Sequence, residues 1–208
     1  MKVSGWPITW RYESDAHLCV ISLYSLYPLR SARTGSYGAV YIATHRLTGT
    51  RCAVKKIPKS MTGQLTREIH HHRSLHHRHI LQLYEIIATE SHIWLVSELC
   101  TGGELFDYLV ERGRLLEGEA RRIFGELTVA VGTIHRKGTV HRDLKLENVF
   151  LNGFCGVKLG DLGFAREWSR GSKLLDTFCG TTGYASPEML QGHKYAGEGE
   201  QIRQQDAG

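Results

Sequence analysis

Near Thr101-Gly102-Gly103 the chain changes its hydrophobic period, and this change constrains the fold more than any other feature. Ahead of it lie β-type runs, "GAVYIATH" (38–45) and "RCAVKKI" (51–57), joined by "RLTGT", whose Thr-Gly predicts a hairpin turn. "ILQLYEIIAT" (80–89) and "HIWLVSEL" (92–99) read as two further strands. Between the pairs, residues 63–77 read as a helix, with Leu65, Ile69, His72 and Leu75 on one stripe. Behind the glycines come helices. "ELFDYLVERG" stops at Gly113, and a long helix over 117–137 aligns Ile123, Leu127, Val131 and Ile134, with Gly138 as its cap. A strand-rich part followed by a helix-rich part is an α+β organisation.

Composition narrows the setting rather than the function. Hydrophobic residues are 41% and charged residues 23% of 208, ordinary for a globular chain with a real core. A net charge of +5 suits nucleic acid, phosphates or acidic surfaces equally, and selects none of them. Five cysteines (Cys19, Cys52, Cys100, Cys155, Cys179) without C-x-x-C spacing point to a reducing, intracellular and cytoplasmic setting. No apolar run approaches the roughly 18 residues that span a bilayer, and the N-terminus lacks the pattern of a secretory signal.

Chemistry concentrates in "TVHRDLKLENVFLNGFCGVKLGDLGFAR" (139–166). Within it lie a carboxylate (Asp143), an ammonium (Lys145), an amide (Asn148) and a second carboxylate (Asp161). Phosphoryl transfer requires these types: an acid to orient a hydroxyl, a cation for the moving charge, and oxygen ligands for magnesium. Earlier, Gly35 and Gly38 in "TGSYGAVY" leave backbone amides able to approach a phosphate, although a plain hairpin would use the same glycines. Lys55, in the following strand, is either a solvated edge residue or a phosphate ligand; Glu68 is either a solvated helix carboxylate or its partner. The histidines at 70, 71, 72, 76, 77 and 79 cannot all face one ion from a helix, and a helix-to-strand corner explains them better than zinc.

In order, these motifs resemble the eukaryotic protein kinases. His141 to Asn148 is similar to the catalytic loop and Asp161-Leu162-Gly163 to the magnesium-binding turn, with Leu where Phe is commoner. Ser186-Pro187-Glu188 is similar to the element that closes the activation segment. The resemblance implies a two-lobe fold, ATP and Mg2+ as cofactors, and phosphorylation of protein serine or threonine. It makes Asp143 the catalytic acid or base, puts Lys145 on the transferred phosphate with Thr181 near Asp143, and gives magnesium to Asn148 and Asp161. Lys55, fixed by Glu68, would hold the α/β-phosphates. Gly35, Gly38, Val40, Ala53, Glu98, Cys100 and Glu104 would serve the nucleotide, with Glu98 to Cys100 as the hinge. Ser97, beside that hinge, would guard the pocket behind adenine. Thr177 would be an activation phosphosite answered by Arg142. Glu104 and Glu147 imply substrates with basic residues before the acceptor, and an upstream activating kinase is implied; nucleic acid is not. "REIHHHRSLHHRHI" and "DTFCGTTGYASPEML" are most similar to the calmodulin-dependent and AMP-activated group.

The chain also departs from that pattern. Arg33 stands where a further glycine is usual, Arg78 where proline is usual, and the strand entering the glycine loop is hard to find in "SLYSLYPLRSAR". The expected division is 1–33 unassigned, 34–98 a first lobe, 99–193 a partial second lobe, and 194–208 a polar tail. A family member would continue into a buried helix, so the reading is of a truncated domain with Leu127 and Val131 short of cover. The alternative is a non-catalytic kinase-like fragment that binds a nucleotide or a partner.

Overall fold

The computed structural model describes residues 30–35, 38–61, 72, 74–168, 181–184 and 187–191. Glu68, Thr177 and Cys179, and residues 63–71 and 73 of the helix read over 63–77, lie outside the described residues; His72 is helical, but 74–77 are not, so that helix ends earlier than its apolar stripe predicts. Two units result, one within 1–65 and 82–99 and the other within 66–81 and 100–208.

The first unit is an antiparallel sheet in the order β1-β2-β3-β5-β4. Its strands are β1 (Arg30–Gly35), β2 (Gly38–Thr44), β3 (Arg51–Pro58), β4 (Leu83–Ala88) and β5 (His92–Glu98). The β2–β3 turn closes as the Thr-Gly pair predicts: Gly49 has φ +69° and donates its N–H to His45 O at 2.8 Å. β1 supplies the strand that "SLYSLYPLRSAR" hides. It pairs with β2 from Arg30↔Ile42 to Gly35↔Gly38, with a register shift between Ser31 and Arg33.

Successive side chains of a strand point to opposite faces, and directly paired residues share one. One face therefore carries Tyr41, Ala43, Cys52, Val54, Val96 and Trp94, which with Ile87 and Tyr84 make the core of this unit. Lys56 lies on it too, its ammonium 5.1 Å from the Trp94 ring centre, a cation–π contact. Lys55 is necessarily on the other face.

The second unit is built on helix α2 (Glu117–Arg136), preceded by α1 (Leu105–Arg112). The α1 stop at Gly113 has φ +75°, and Gly138 beyond α2 has φ +70°, the left-handed conformation glycine takes without steric cost. Ile123, Ala130, Val131 and Ile134 of α2 pack with Val149, Leu151, Val157 and Leu159 of a hairpin, β7 (Val149–Leu151) and β8 (Val157–Leu159). Val131 is only 4% exposed, which corrects the expectation that it lacks cover, while Leu127 packs against the same core but stays half-buried. They fall on the Ile123 stripe, which faces the hairpin; the exposed apolar residues of α2 are Phe124 and Val129. A short pair, β6 (Thr139–Val140) with β9 (Arg166–Glu167), follows the helix, and a one-turn helix α3 (Pro187–Leu190) lies beyond it. Among the described residues, no helix is long and apolar enough to cross a membrane.

Polar side chains tie α2 to the hairpin. Glu126 Oε2 accepts the Val157 N–H at 2.7 Å and lies 3.5 Å from His79 Nδ1, while Oε1 takes the Arg122 guanidinium at 3.1 Å. Arg122 also donates to Cys155 O at 3.0 Å. Burial alone would raise the Glu126 pKa, but the Val157 and Arg122 hydrogen bonds and nearby positive charge hold it below its ordinary 4.5. Its folded-state pKa is thus the lower one. The stability it contributes is complete above about pH 4.5 and is lost as pH falls through the folded-state value. Glu126→Gln should cost about 1 kcal/mol at neutral pH, the difference between charged and neutral hydrogen bonds. Denaturant unfolding at pH 7 and at pH 3.5 should show that gap closing in acid, and an equal gap at both would remove Glu126 as the source.

Candidate active site

Asp143 sits in a sharp turn directly after β6. Its neighbour Arg142 has φ +67°, a conformation unfavourable for a side-chain-bearing residue by roughly 1–2 kcal/mol. Both oxygens of the 6%-exposed Asp143 are hydrogen-bonded. Oδ1 accepts the N–H and the hydroxyl of Thr181, each at 2.9 Å. Oδ2 accepts Asn148 Nδ2 at 2.9 Å and the Lys145 ammonium at 3.0 Å. Lys145 also donates to Thr181 Oγ1 at 2.7 Å, so hydroxyl, ammonium and carboxylate form a closed ring of hydrogen bonds. A buried carboxylate without such donors would be strongly disfavoured.

Lys145 is under opposing influences. Burial lowers its pKa, but the Asp143 hydrogen bond and the charges of Asp143, Glu147 and Asp161 outweigh that, leaving it above its ordinary 10.5. Lys145 is therefore a firm cation among three acidic groups.

Asn148 ends the turn Leu146–Asn148 and is 4% exposed. Its amide nitrogen donates to Asp143 O at 2.7 Å and to Asp143 Oδ2, which turns its carbonyl oxygen away from that pair. Asp161 has φ +52° and precedes the turn Leu162–Phe164. A Cβ on Gly163 would lie 2.9 Å from Asp161 Oδ1, so any larger residue there would push the carboxylate from its present position. An amide oxygen and a carboxylate are the hard oxygen donors magnesium takes, in a site that ordinarily needs only one or two protein carboxylates.

His141, for which the sequence reading has no role, joins the loops bearing the two aspartates. It is fully buried; Nδ1 accepts the Asp143 N–H at 3.3 Å, and Nε2 therefore carries the proton donated to Gly160 O at 3.0 Å. Only its place two residues before Asp143 hints at this in the sequence.

In the first unit, strand pairing collects a second group. Val40 lies opposite Lys55, Lys55 opposite Leu95, and Ala53 opposite Ser97, so Val40, Ala53, Lys55 and Ser97 share the face away from Trp94. Gly35 pairs with Gly38 at the mouth of the β1–β2 hairpin. Glu98 lies on the opposite face from Lys55. Its N–H donates to Gln82 O at 3.0 Å and its Oε1 accepts the Gln82 N–H at 2.7 Å. In the second unit, Cys100 O accepts the Gly103 N–H at 3.3 Å, and Glu104 bridges through its backbone to Phe150.

Residues 32–201 match the protein kinase domain family. The chain is 47% identical over 165 residues to the serine/threonine-protein kinase ppk16 of Schizosaccharomyces pombe, covering 79% of this chain and 25% of that protein. It is 45% identical over 174 residues to the serine/threonine protein kinases OSK3 and OSK4 of Oryza sativa subsp. indica, covering 81% of this chain and 34% of each. The chain thus spans about a quarter to a third of the length of these curated relatives.

Proposed function

Because the chain belongs to the protein kinase family, we propose that it transfers the γ-phosphoryl group of ATP to serine or threonine hydroxyls of proteins, with magnesium. The observation that carries this reading is the Asp143–Lys145–Thr181 ring of hydrogen bonds, braced by Asn148, which joins an oriented carboxylate to a fixed ammonium.

In the reaction the bond from phosphorus to the ADP oxygen breaks, a bond to the acceptor oxygen forms, and the hydroxyl proton departs. Asp143 orients the acceptor hydroxyl and accepts its proton. The bonds from Thr181 and Asn148 hold that carboxylate in one position before substrate arrives, which is how positioning lowers a barrier. Lys145 is already charged and lies against Asp143, where it meets the negative charge of the transferring group. Magnesium, held by the Asn148 carbonyl oxygen and the Asp161 carboxylate, would neutralise phosphate charge. The acidity around Lys145 supports a cation there, since the charges of Asp143, Glu147 and Asp161 all act on this one ammonium. Lys55 would bind phosphate from a face it shares with Val40 and Ala53, with Glu68 as its partner; Gly35, Gly38, Glu98, Cys100 and Glu104 would complete the nucleotide contacts. We infer an intracellular, cytoplasmic protein nearest the calmodulin-dependent and AMP-activated kinases.

Replacing Asp143 with Asn should leave ATP affinity near that of the parent while lowering turnover by roughly 10²–10⁴-fold, the usual share of a positioned acid or base. Asp161→Asn should instead raise the magnesium requirement along with the loss of rate. Parallel nucleotide-binding and phosphate-transfer assays check both, and normal turnover in either variant overturns the assignment. ATP binding without any transfer by the parent chain would favour the non-catalytic alternative.

Acceptor sequences should carry arginine two or three residues before the serine or threonine, facing Glu104 and Glu147. Such charge pairing weakens with salt. A peptide array should show Arg→Glu penalised at those places and the penalty shrinking at 0.5 M salt; a flat array argues against both glutamates.

An upstream kinase would act at Thr177, whose phosphate would pair with Arg142 in a charge-assisted contact. Thr177→Ala should match the unphosphorylated enzyme and resist activation. Full activation of that variant by an upstream kinase would exclude the site.

A further inference from the structure

The peptide entering Asp161 is shaped by a ring. On the β7–β8 hairpin Phe150 lies opposite Lys158, and Gly160, two residues after Lys158, falls on the same face. A Cβ on Gly160 would sit 2.9 and 3.1 Å from Phe150 Cε2 and Cδ2, and 3.0 Å from Leu81 Cδ2. Side-chain carbons do not approach so closely, and an aromatic ring cannot bend aside as a flexible chain end does. Positive φ occurs at Gly49, Gly103, Gly113 and Gly138 but not at Gly160. Glycine is therefore required at 160 for space and not for backbone conformation.

The Gly160 peptide is also held from two sides. Its N–H donates to Asn148 O at 2.9 Å, and its carbonyl accepts from His141 Nε2 at 3.0 Å. His141 in turn holds the Asp143 N–H. A shift at Gly160 thus reaches the backbone of Asn148, the carrier of Asp161, and the turn that presents Asp143.

We propose that Phe150 is a positioning residue whose ring, seated directly on Gly160, sets the place of Asp161 and Asn148 and so the affinity for the magnesium–nucleotide pair. This rests on the kinase reading and deepens it. The ring acts through the Gly160 peptide, and its size and the missing Cβ are complementary: each is tolerated because of the other.

The test is a double-mutant cycle on the full chain with Gly160→Ala, Phe150→Leu and the pair together. Phosphate transfer against magnesium concentration, Mg·ADP affinity by calorimetry, and melting temperature are read for each. Gly160→Ala should melt lower, need more magnesium for half-maximal rate, and lose turnover on the order of 10²-fold, the scale of an ångström-sized misplacement. Phe150→Leu, which adds no atom at 160, should raise the magnesium requirement severalfold. The double variant should recover most of what Gly160→Ala loses, because leucine leaves room for the added methyl. A ring that merely touched the nucleotide would make the double variant worse than either single. That result, or a Gly160→Ala protein with parental magnesium dependence, overturns the inference while leaving the kinase reading intact. If Gly160→Ala does not fold, Phe150→Leu decides through its magnesium requirement, and no change there is a refutation. A parent chain that binds Mg·ADP without transfer still reads the cycle by calorimetry. One that does neither refutes both.

Discussion

The second unit is organised around a single buried carboxylate that must not go unsatisfied. Asp143 receives donors from three separate stretches: Lys145 beside it, Asn148 at the end of the next turn, and Thr181 far along the chain. Burying a carboxylate without partners costs several kcal/mol, so these contacts are obligatory rather than decorative. They also fix where residue 181 lies relative to the loop of Asp143. The strained turn at Arg142 is tolerated because this set of bonds over-determines it. Lys145 completes the balance by serving hydroxyl and carboxylate at once.

Legibility from sequence depended on whether a feature is local. The Thr-Gly turn at 48–49, the glycine stops at 113 and 138, and the 117–137 helix are written in short-range patterns, and the structure has each of them within a residue. β1 was obscure because "RSARTG" has no alternating apolar period; its existence rests on backbone pairing to β2, which no composition records. Val131 was misjudged for a related reason. Helical spacing identified its stripe but not its cover, and the β7–β8 hairpin that provides it is separated from the helix by a loop.

The site was legible as a set of residue types and illegible as a set of distances. Asp143, Lys145, Asn148 and Asp161 stand out because acids, an ammonium and an amide are rarely crowded without a purpose. His141 and Gly160 do not stand out, since a buried histidine is commonly a core residue and a glycine before an aspartate suggests a turn. Their roles follow only once His141 Nε2 is seen to reach Gly160 O.

The two glycines flanking the Asp161-Leu162 pair show how far space, rather than backbone freedom, determines such a site. Asp161 itself takes the left-handed conformation, while Gly160 and Gly163 have no positive φ recorded beside it. A side chain at 163 would strike the Asp161 carboxylate, and one at 160 would strike Phe150. Each missing Cβ leaves space that a neighbouring side chain occupies, the Asp161 carboxylate at 163 and the Phe150 ring at 160. Hydrogen bonds hold the Gly160 peptide from above and below, to Asn148 and to His141. An acid whose preceding peptide is hydrogen-bonded on both sides needs little reorganisation before it acts on a charge, and in a low-dielectric setting that economy of movement is where electrostatic stabilisation originates.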